Sequence, residues 1–217
     1  MSGSPLSRVA GPIAIVAGLL VIVTRLVIMF TIPTEIGPLK EYVLTSTHAI
    51  NSVASILGFA LLVLALFAMY EREASPAGAF GVVGLAAAVI GTVFMAGDWW
   101  YEAFAVPRLA EMAPDAIDTF VGGRLLIGGL SSFVLVGIGW LLFGLASLRA
   151  GVFPAAISLG IAAGGLLSGI PLGVAYLTGG VIVGLAVAAW GIWMLRERTA
   201  AQDAVVVRPA PSSPAAL

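Results

Sequence analysis

Six long apolar stretches constrain this chain more than any other feature of its sequence. They run approximately over residues 9–31, 46–70, 79–103, 123–148, 153–170 and 173–195. A helix needs about 20 apolar residues to cross a hydrocarbon core of about 30 Å. Only 10% of the residues are charged, whereas soluble domains carry about 25%. The sequence therefore predicts an all-α fold, a polytopic bundle of six transmembrane helices.

Prolines and glycines separate these stretches. Ser75-Pro76 precedes the third stretch, and Pro171 divides the apolar run 152–195, which is too long for one crossing. After Arg198 the composition turns to Ala, Pro and Ser without an amphipathic pattern, which is typical of disorder. We therefore predict three regions. They are an N-terminus at 1–8, a six-helix transmembrane domain at 9–198, and a disordered tail at 199–217.

Basic residues beside the stretches fall unequally on the two sides of the predicted membrane. One side carries Arg8, Arg72, Arg149, Arg196 and Arg198. The other carries Lys40, Arg108 and Arg124. Because cytoplasmic loops are enriched in Lys and Arg, we predict that both termini are cytoplasmic (N-in/C-in). Arginine outnumbers lysine nine to one, which favours a high-GC bacterial genome and hence the plasma membrane.

The composition excludes several classes of site. Cysteine is absent, so disulfides, iron–sulfur clusters and thiolate-bound zinc are excluded. Histidine occurs once, at His48, which leaves no His-rich metal or haem site. The net charge is -1 and no basic cluster is present, so the chain lacks the electrostatic footprint for nucleic acid. We expect no metal, no cofactor and no nucleic-acid partner.

Polar residues inside the predicted helices concentrate in the outer third of the membrane. They are Arg25, His48, Asn51, Asp98, Glu102, Arg124 and Tyr176. Ionisable groups are costly in lipid and usually face the interior of a bundle. We therefore expect Arg25 and Arg124 to neutralise Asp98 and Glu102, which are i,i+4 neighbours on one helix. The inner half of the predicted bundle has no ionisable residue except at its rim.

The segment Gly97-Asp98-Trp99-Trp100-Tyr101-Glu102 places two carboxylates and three aromatic rings within two helical turns. An interfacial aromatic belt would explain the rings alone. A binding or catalytic site would explain the rings and the flanking acids together. Both interpretations remain open from the sequence.

Glycines recur at four-residue spacing in the last two stretches, as in Gly160/Gly164, Gly165/Gly169 and Gly180/Gly184. Small residues at this spacing let helix backbones approach closely in lipid. We therefore expect the fifth and sixth helices to pack as a tight hairpin. A homo-oligomer that uses these glycine-rich helices is the alternative.

The chain resembles a class of small bacterial membrane proteins with six spans that are catalogued as domains of unknown function. The resemblance rests on the short basic turns, the acidic-aromatic end of the third stretch before Phe104-Ala105-Val106-Pro107, and Trp140-Leu141-Leu142-Phe143-Gly144. It covers about 190 residues. It implies a multi-pass membrane protein and no particular activity.

Two functional hypotheses from different classes follow. The first is a membrane-embedded enzyme that cyclises or isomerises an isoprenoid or sterol-like lipid by acid catalysis. It resembles the logic of integral membrane terpene cyclases and sterol isomerases. Asp98 or Glu102 would donate the proton. The substrate would be held by Trp99, Trp100, Tyr101, Arg25, His48, Asn51, Arg124 and Tyr176.

The second hypothesis is a non-catalytic protein that binds a membrane lipid or a partner subunit through the same residues. A small-solute transporter ranks third. Its substrate path would need polar groups that continue to both sides of the membrane, and the inner half of this bundle lacks them.

Overall fold

The structure is a computed structural model that describes residues 5–31, 39–114 and 123–206. Its helices are α1 Pro5–Thr31, α2 Leu39–Val43, α3 Ser46–Phe104, α4 Val106–Met112, α5 Gly123–Ala150, α6 Ala155–Ser168 and α7 Gly173–Val206. No strand occurs within these ranges, so the prediction of an all-α fold is confirmed. The helices overlap the six apolar stretches, but α3 joins the second and third of them and α7 continues past residue 195.

Four helices of the described chain are long and apolar enough to cross a membrane. They are Arg8–Thr31, Ser46–Met112, Leu126–Ala150 and Gly173–Ala200. Large apolar side chains are exposed around the bundle, and Leu19, Val83 and Leu185 are each more than half exposed. Water would penalise such a surface, whereas lipid tails would cover it without cost. These features indicate a membrane protein.

Helix α3 is two antiparallel arms, 46–77 and 79–104, rather than one rod. A straight helix of its 59 residues would measure about 90 Å, three times the thickness of a bilayer core. The backbone breaks at Gly78, where φ is 58° and ψ is -149°, a conformation that suits glycine. The two ends of α3 therefore lie side by side, and His48 Nε2 is 3.0 Å from the backbone oxygen of Glu102.

The two arms of α3 and helices α1, α5, α6 and α7 form a closed ring in which each rod contacts the next in the chain. Glycine makes most of these contacts close. A Cβ at Gly91 of α3 would lie 2.4 Å from the Leu135 carbonyl oxygen of α5. A Cβ at Gly18 of α1 would lie 2.3 Å from the Gly184 carbonyl oxygen of α7, which closes the ring.

Helices α6 and α7 pack as the glycine spacing predicts. A Cβ at Gly164 would lie 2.8 Å from the Val183 nitrogen. Gly184 contacts α1 within the same chain, so these glycines serve packing inside one copy. Helix α6 has 14 residues, or about 21 Å, and is shorter than the predicted stretch 153–170.

The two ends of the bundle carry different side chains. At one end, Arg72 forms an ion pair with Glu197, and Arg198 donates a hydrogen bond to the Arg8 backbone oxygen at 2.7 Å. We call this the Arg72 end. The opposite end carries Asp98, and we call it the Asp98 end. The structure thus sorts these basic residues to one end, as the sequence predicts.

The boundary of the predicted tail differs from the structure. Helix α7 continues to Val206, eight residues into the region 199–217. Alanine and glutamine in this part are good helix formers, and they extend a helix that is already nucleated by packing. Residues 207–217 lie outside the described ranges.

Two glycines on the second arm of α3 provide a matched test of the packing. Gly91→Ala should lower the stability by about 1–3 kcal/mol, because the added methyl meets backbone atoms of α5 that cannot move aside. Gly97→Ala should be neutral or stabilising by up to about 1 kcal/mol, because none of the described atoms lies within 4 Å of its Cβ position. Denaturation in detergent measures both, and equal losses would contradict the packing described here.

Candidate functional site

The helices separate at the Asp98 end and leave a cavity of about 1070 Å³, which we call the Asp98 cavity. Three glycines on three helices mark the separation. A Cβ at Gly97 of α3, Gly128 of α5 or Gly173 of α7 would meet no atom of the described residues within 4 Å. Two turns deeper, a Cβ at Gly137 would lie 2.4 Å from the Gly169 Cα. The cavity therefore begins where close packing of the glycines ends.

Most of the predicted site residues line this cavity. They are His48, Asp98, Trp99, Tyr101, Glu102, Arg124 and Tyr176. The rest of the wall is largely apolar, with Ile28, Met29, Val43, Phe94, Leu126, Leu130, Val174 and Leu177. One space therefore holds polar groups and a hydrocarbon-like surface. In the described ranges no three His, Asp or Glu side chains form a group that could hold a metal ion.

Asp98 and Glu102 share one face of the second arm of α3 and present their carboxyl groups to the cavity. Within the described part of the chain, no hydrogen bond or ion pair reaches the Asp98 carboxyl group. A Cβ at Gly129 of α5 would lie 4.0 Å from Asp98 Oδ1, and no other described side chain comes within 4 Å of that position. Asp98 is thus open to a molecule in the cavity.

His48 connects the two arms of α3 at the cavity wall. Its Nε2 donates a hydrogen bond to the Glu102 backbone oxygen at 3.0 Å and lies 3.8 Å from Glu102 Oε2. Its backbone N–H donates to Thr45 Oγ1 at the N-terminus of α3. The ring also meets Tyr42 edge-on, with centroids 5.2 Å apart. These contacts fix the position of the imidazole beside the Glu102 carboxyl group.

Three predicted site residues do not line the cavity: Trp100, Asn51 and Arg25. Trp100 is 56% exposed and packs on Phe104 at 5.5 Å on the outside of the bundle. That position suits an interfacial belt residue and places no part of Trp100 against a molecule in the cavity. Asn51 is buried in the first arm of α3, away from the cavity wall.

Arg25 lies behind the cavity wall in a box of aromatic rings. It is 1% exposed. The guanidinium carbon lies 4.7 Å from the ring centroid of Trp99, 4.8 Å from that of Tyr176 and 5.6 Å from that of Phe59. Its Nη1 donates a hydrogen bond to Tyr176 Oη at 2.5 Å. Ring faces stabilise a desolvated cation, so the box holds the charge.

The predicted neutralisation of Asp98 and Glu102 by arginines is therefore wrong. No ion pair joins Arg25 or Arg124 to either acid in the described ranges. Arg25 is held by rings, and Arg124 is exposed in the first turn of α5, across the cavity from α3. Periodicity placed these charges at one depth, but it could not show which groups each side chain faces.

Tyr176 connects the buried arginine to the cavity. Its Oη accepts hydrogen bonds from Arg25 and, at 3.3 Å, from Trp99 Nε1. Its ring meets Phe133 of α5 edge-on, with centroids 4.8 Å apart. A Cβ at Gly180 would lie 2.8 Å from Arg25 Cγ, so this glycine provides the room for the arginine stem. Trp99 and Tyr176 thus form the floor of the cavity.

The sequence did not identify the glycines that line the cavity, and it did not identify Glu73 as a buried acid. In the sequence, Gly128 and Gly129 look like the other glycines of an apolar helix. They differ only in the open space at their Cβ positions, which the structure shows. Glu73 at the Arg72 end is fully buried, and its Oε1 accepts a hydrogen bond from Ser147 Oγ at 2.8 Å.

A scan against protein-family models and searches of curated proteins and of solved structures found no match to this chain.

The contact between Arg25 and Tyr176 predicts coupled stability. Tyr176→Phe should cost about 1–3 kcal/mol, because it leaves the buried donors of Arg25 and Trp99 without an acceptor. A double-mutant cycle of Tyr176→Phe with Arg25→Met should show coupling, measured by denaturation in detergent. The same cycle of Arg25→Met with Asp98→Asn should show none. Coupling with Asp98 and not with Tyr176 would overturn the assignment.

Proposed function

We propose that this chain crosses the plasma membrane six times, with both termini in the cytoplasm. Support comes from the antiparallel arms of α3 and from the gathering of Arg8, Arg72 and Arg198 at one end of the bundle. The positive-inside tendency makes that end cytoplasmic. Helix α6 is short for a crossing, and α5 and α7 on either side of it would cover its polar ends.

We propose that the Asp98 cavity binds a lipid-like small molecule. The single observation that carries this proposal is that one large cavity combines an extended apolar wall with a few polar groups, among them the two carboxyl groups of α3. Binding sites for small molecules are concave and mostly apolar, with a few polar groups that fix orientation, and they measure about 300–1,000 Å³. The cavity would hold the hydrocarbon part on α5 and α7 and the polar part beside α3.

Transport through the bundle is a weaker candidate. Below the cavity, large and fully buried side chains leave a space of only about 20 Å³; among them are Trp140, Phe143, Leu62, Leu66, Met69 and Met95. Trp140 Nε1 also donates a hydrogen bond to Thr92 Oγ1 at 2.9 Å and ties α5 to α3. A solute path would have to open this packed region, so the cavity is better suited to binding.

Acid-catalysed isomerisation is a second candidate, favoured by one observation. Two carboxyl groups, Asp98 and Glu102, lie on the cavity wall with the rings of Trp99 and Tyr101. A protonated carboxyl group could transfer its proton to an alkene carbon of the bound lipid, and ring faces would stabilise the resulting cation. Loss of a proton from the neighbouring carbon to the carboxylate would give the isomer and restore the acid.

Reporter fusions test the proposed topology. Fusions after Arg72, Arg149 and Arg198 should report cytoplasm, because these positions follow the second, fourth and sixth crossings. Fusions at Pro38 and Pro114 should report the exterior. A fusion that reports the opposite side would reject this topology, and a fusion after Pro171 tests the short helix α6 separately.

A cavity-filling substitution tests the binding proposal. Gly128→Phe should weaken binding of a fluorescent sterol or polyprenol at least tenfold, because its ring would occupy the cavity without a clash at the Cβ position. Ala60→Phe, on the exposed face of α3, is the matched control and should leave binding unchanged. Equal affinity in both variants would refute the proposal.

The same preparation separates binding from catalysis. Incubation of the intact protein with isoprenoid and sterol-like lipids, followed by product analysis, should show turnover only if the second candidate holds. In that case Glu102→Gln should retain binding and lose conversion, because an amide of the same shape has no acidic proton to give.

A further inference from the structure

We propose that the molecule bound in the Asp98 cavity is a cationic amphiphile, with an ammonium group that lies between Asp98 and Glu102 and a hydrocarbon part on the apolar wall. This inference rests on the proposed binding function and specifies its ligand. It follows from the signs of the charged groups that line the cavity and from the partners that each of them has.

The described residues that line the cavity carry two carboxyl groups, of Asp98 and Glu102, one guanidinium group, of Arg124, and the imidazole of His48, whose Nε2 is bonded to the Glu102 backbone oxygen. Asp98 has no hydrogen bond or ion pair with any of the described residues. A carboxylate on an apolar wall costs free energy unless an opposite charge or a donor meets it. A ligand cation would supply that partner.

Glu102 is also directed to the cavity. The Nε2 proton of His48 goes to the Glu102 backbone oxygen at 3.0 Å, whereas Glu102 Oε2 is 3.8 Å away. The carboxylate therefore remains available to a ligand. Side chains at i and i+4 of a helix have Cβ atoms about 6 Å apart, so one ammonium group can lie close to both carboxylates.

An anionic head group fits the same cavity poorly. It would meet the two carboxylates on α3 and find only Arg124 on the opposite wall. Arg25 cannot compensate, because Trp99 and Tyr176 lie between it and the cavity and its Nη1 is already bonded to Tyr176. The signs of the available charges thus favour a cation.

The glycines beside Asp98 leave space for a substituted ammonium group. No atom of the described residues lies within 4 Å of the Cβ positions of Gly97 and Gly128, which line the cavity, whereas the Cβ position of Gly129 lies 4.0 Å from Asp98 Oδ1. A bulky ammonium group can therefore approach the carboxylate from the cavity. The ring edge and face of Tyr101 line the same wall and can contribute a cation–π contact.

The test uses the full-length protein in nanodiscs of zwitterionic phosphatidylcholine. Three probes of equal chain length are added below their micellar concentrations: dodecyltrimethylammonium, dodecyl sulfate and dodecanol. Affinity is measured from the concentration dependence of the melting temperature. The ammonium probe should bind at least tenfold more tightly than the other two. Asp98→Asn and Glu102→Gln should remove that preference, whereas Glu111→Gln, an exposed acid of α4, should retain it.

Gly129→Lys tests the idea without removing an acid. Its ammonium group would lie beside Asp98, so the variant should be more stable than the parent protein and should no longer bind the ammonium probe. Gly129→Met is the neutral control of similar length and should keep part of the binding. This pair remains informative even if Asp98→Asn does not fold.

The outcomes separate the two proposals. Equal or tighter binding of dodecyl sulfate or dodecanol would overturn the cationic ligand while the binding function stands. A preference for the ammonium probe that survives both acid substitutions would also overturn it. Absence of binding by all three probes, together with no effect of Gly128→Phe on sterol or polyprenol binding, would reject the binding function itself.

Discussion

Close contact between helix backbones at glycine is the interaction on which this bundle depends. In lipid there is little hydrophobic gain from bringing apolar helices together, so association relies on packing and on buried hydrogen bonds. Gly18, Gly91, Gly137 and Gly164 each place a helix directly against the backbone of its neighbour. The same interaction defines the cavity, because the helices separate at the level where glycines no longer meet a neighbouring helix.

The buried arginine shows how a charge can be held inside such a bundle without an acid. Arg25 lies against Phe59, Trp99 and Tyr176, and its stem rests on Gly180. Aromatic faces and a phenol oxygen compensate part of the cost of desolvation. The acids on the cavity wall are consequently not paired with Arg25, and this supports the proposed preference of the cavity for a cation.

The two ends of the bundle differ in how closely their helices pack. At the Arg72 end, Trp190 and Phe153 pack edge-on and Glu73 is closed in by Ser147, so the interior is filled. At the Asp98 end the helices stand apart around a space that is large enough for an amphiphile. The proposed binding site opens only partway into the molecule, which suits recognition or chemistry on a lipid better than its passage across the membrane.

The sequence by itself determined the helical class, the apolar stretches and the shared depth of most of the site residues. Apolar length and i,i+4 spacing are local properties, so Asp98 and Glu102 could be placed on one face before any contact was known. Only the tertiary structure decided that Arg25 meets rings and that Trp100 points outward. Those outcomes depend on the rotation of each helix against its neighbours, which is set by contacts between residues far apart in the chain.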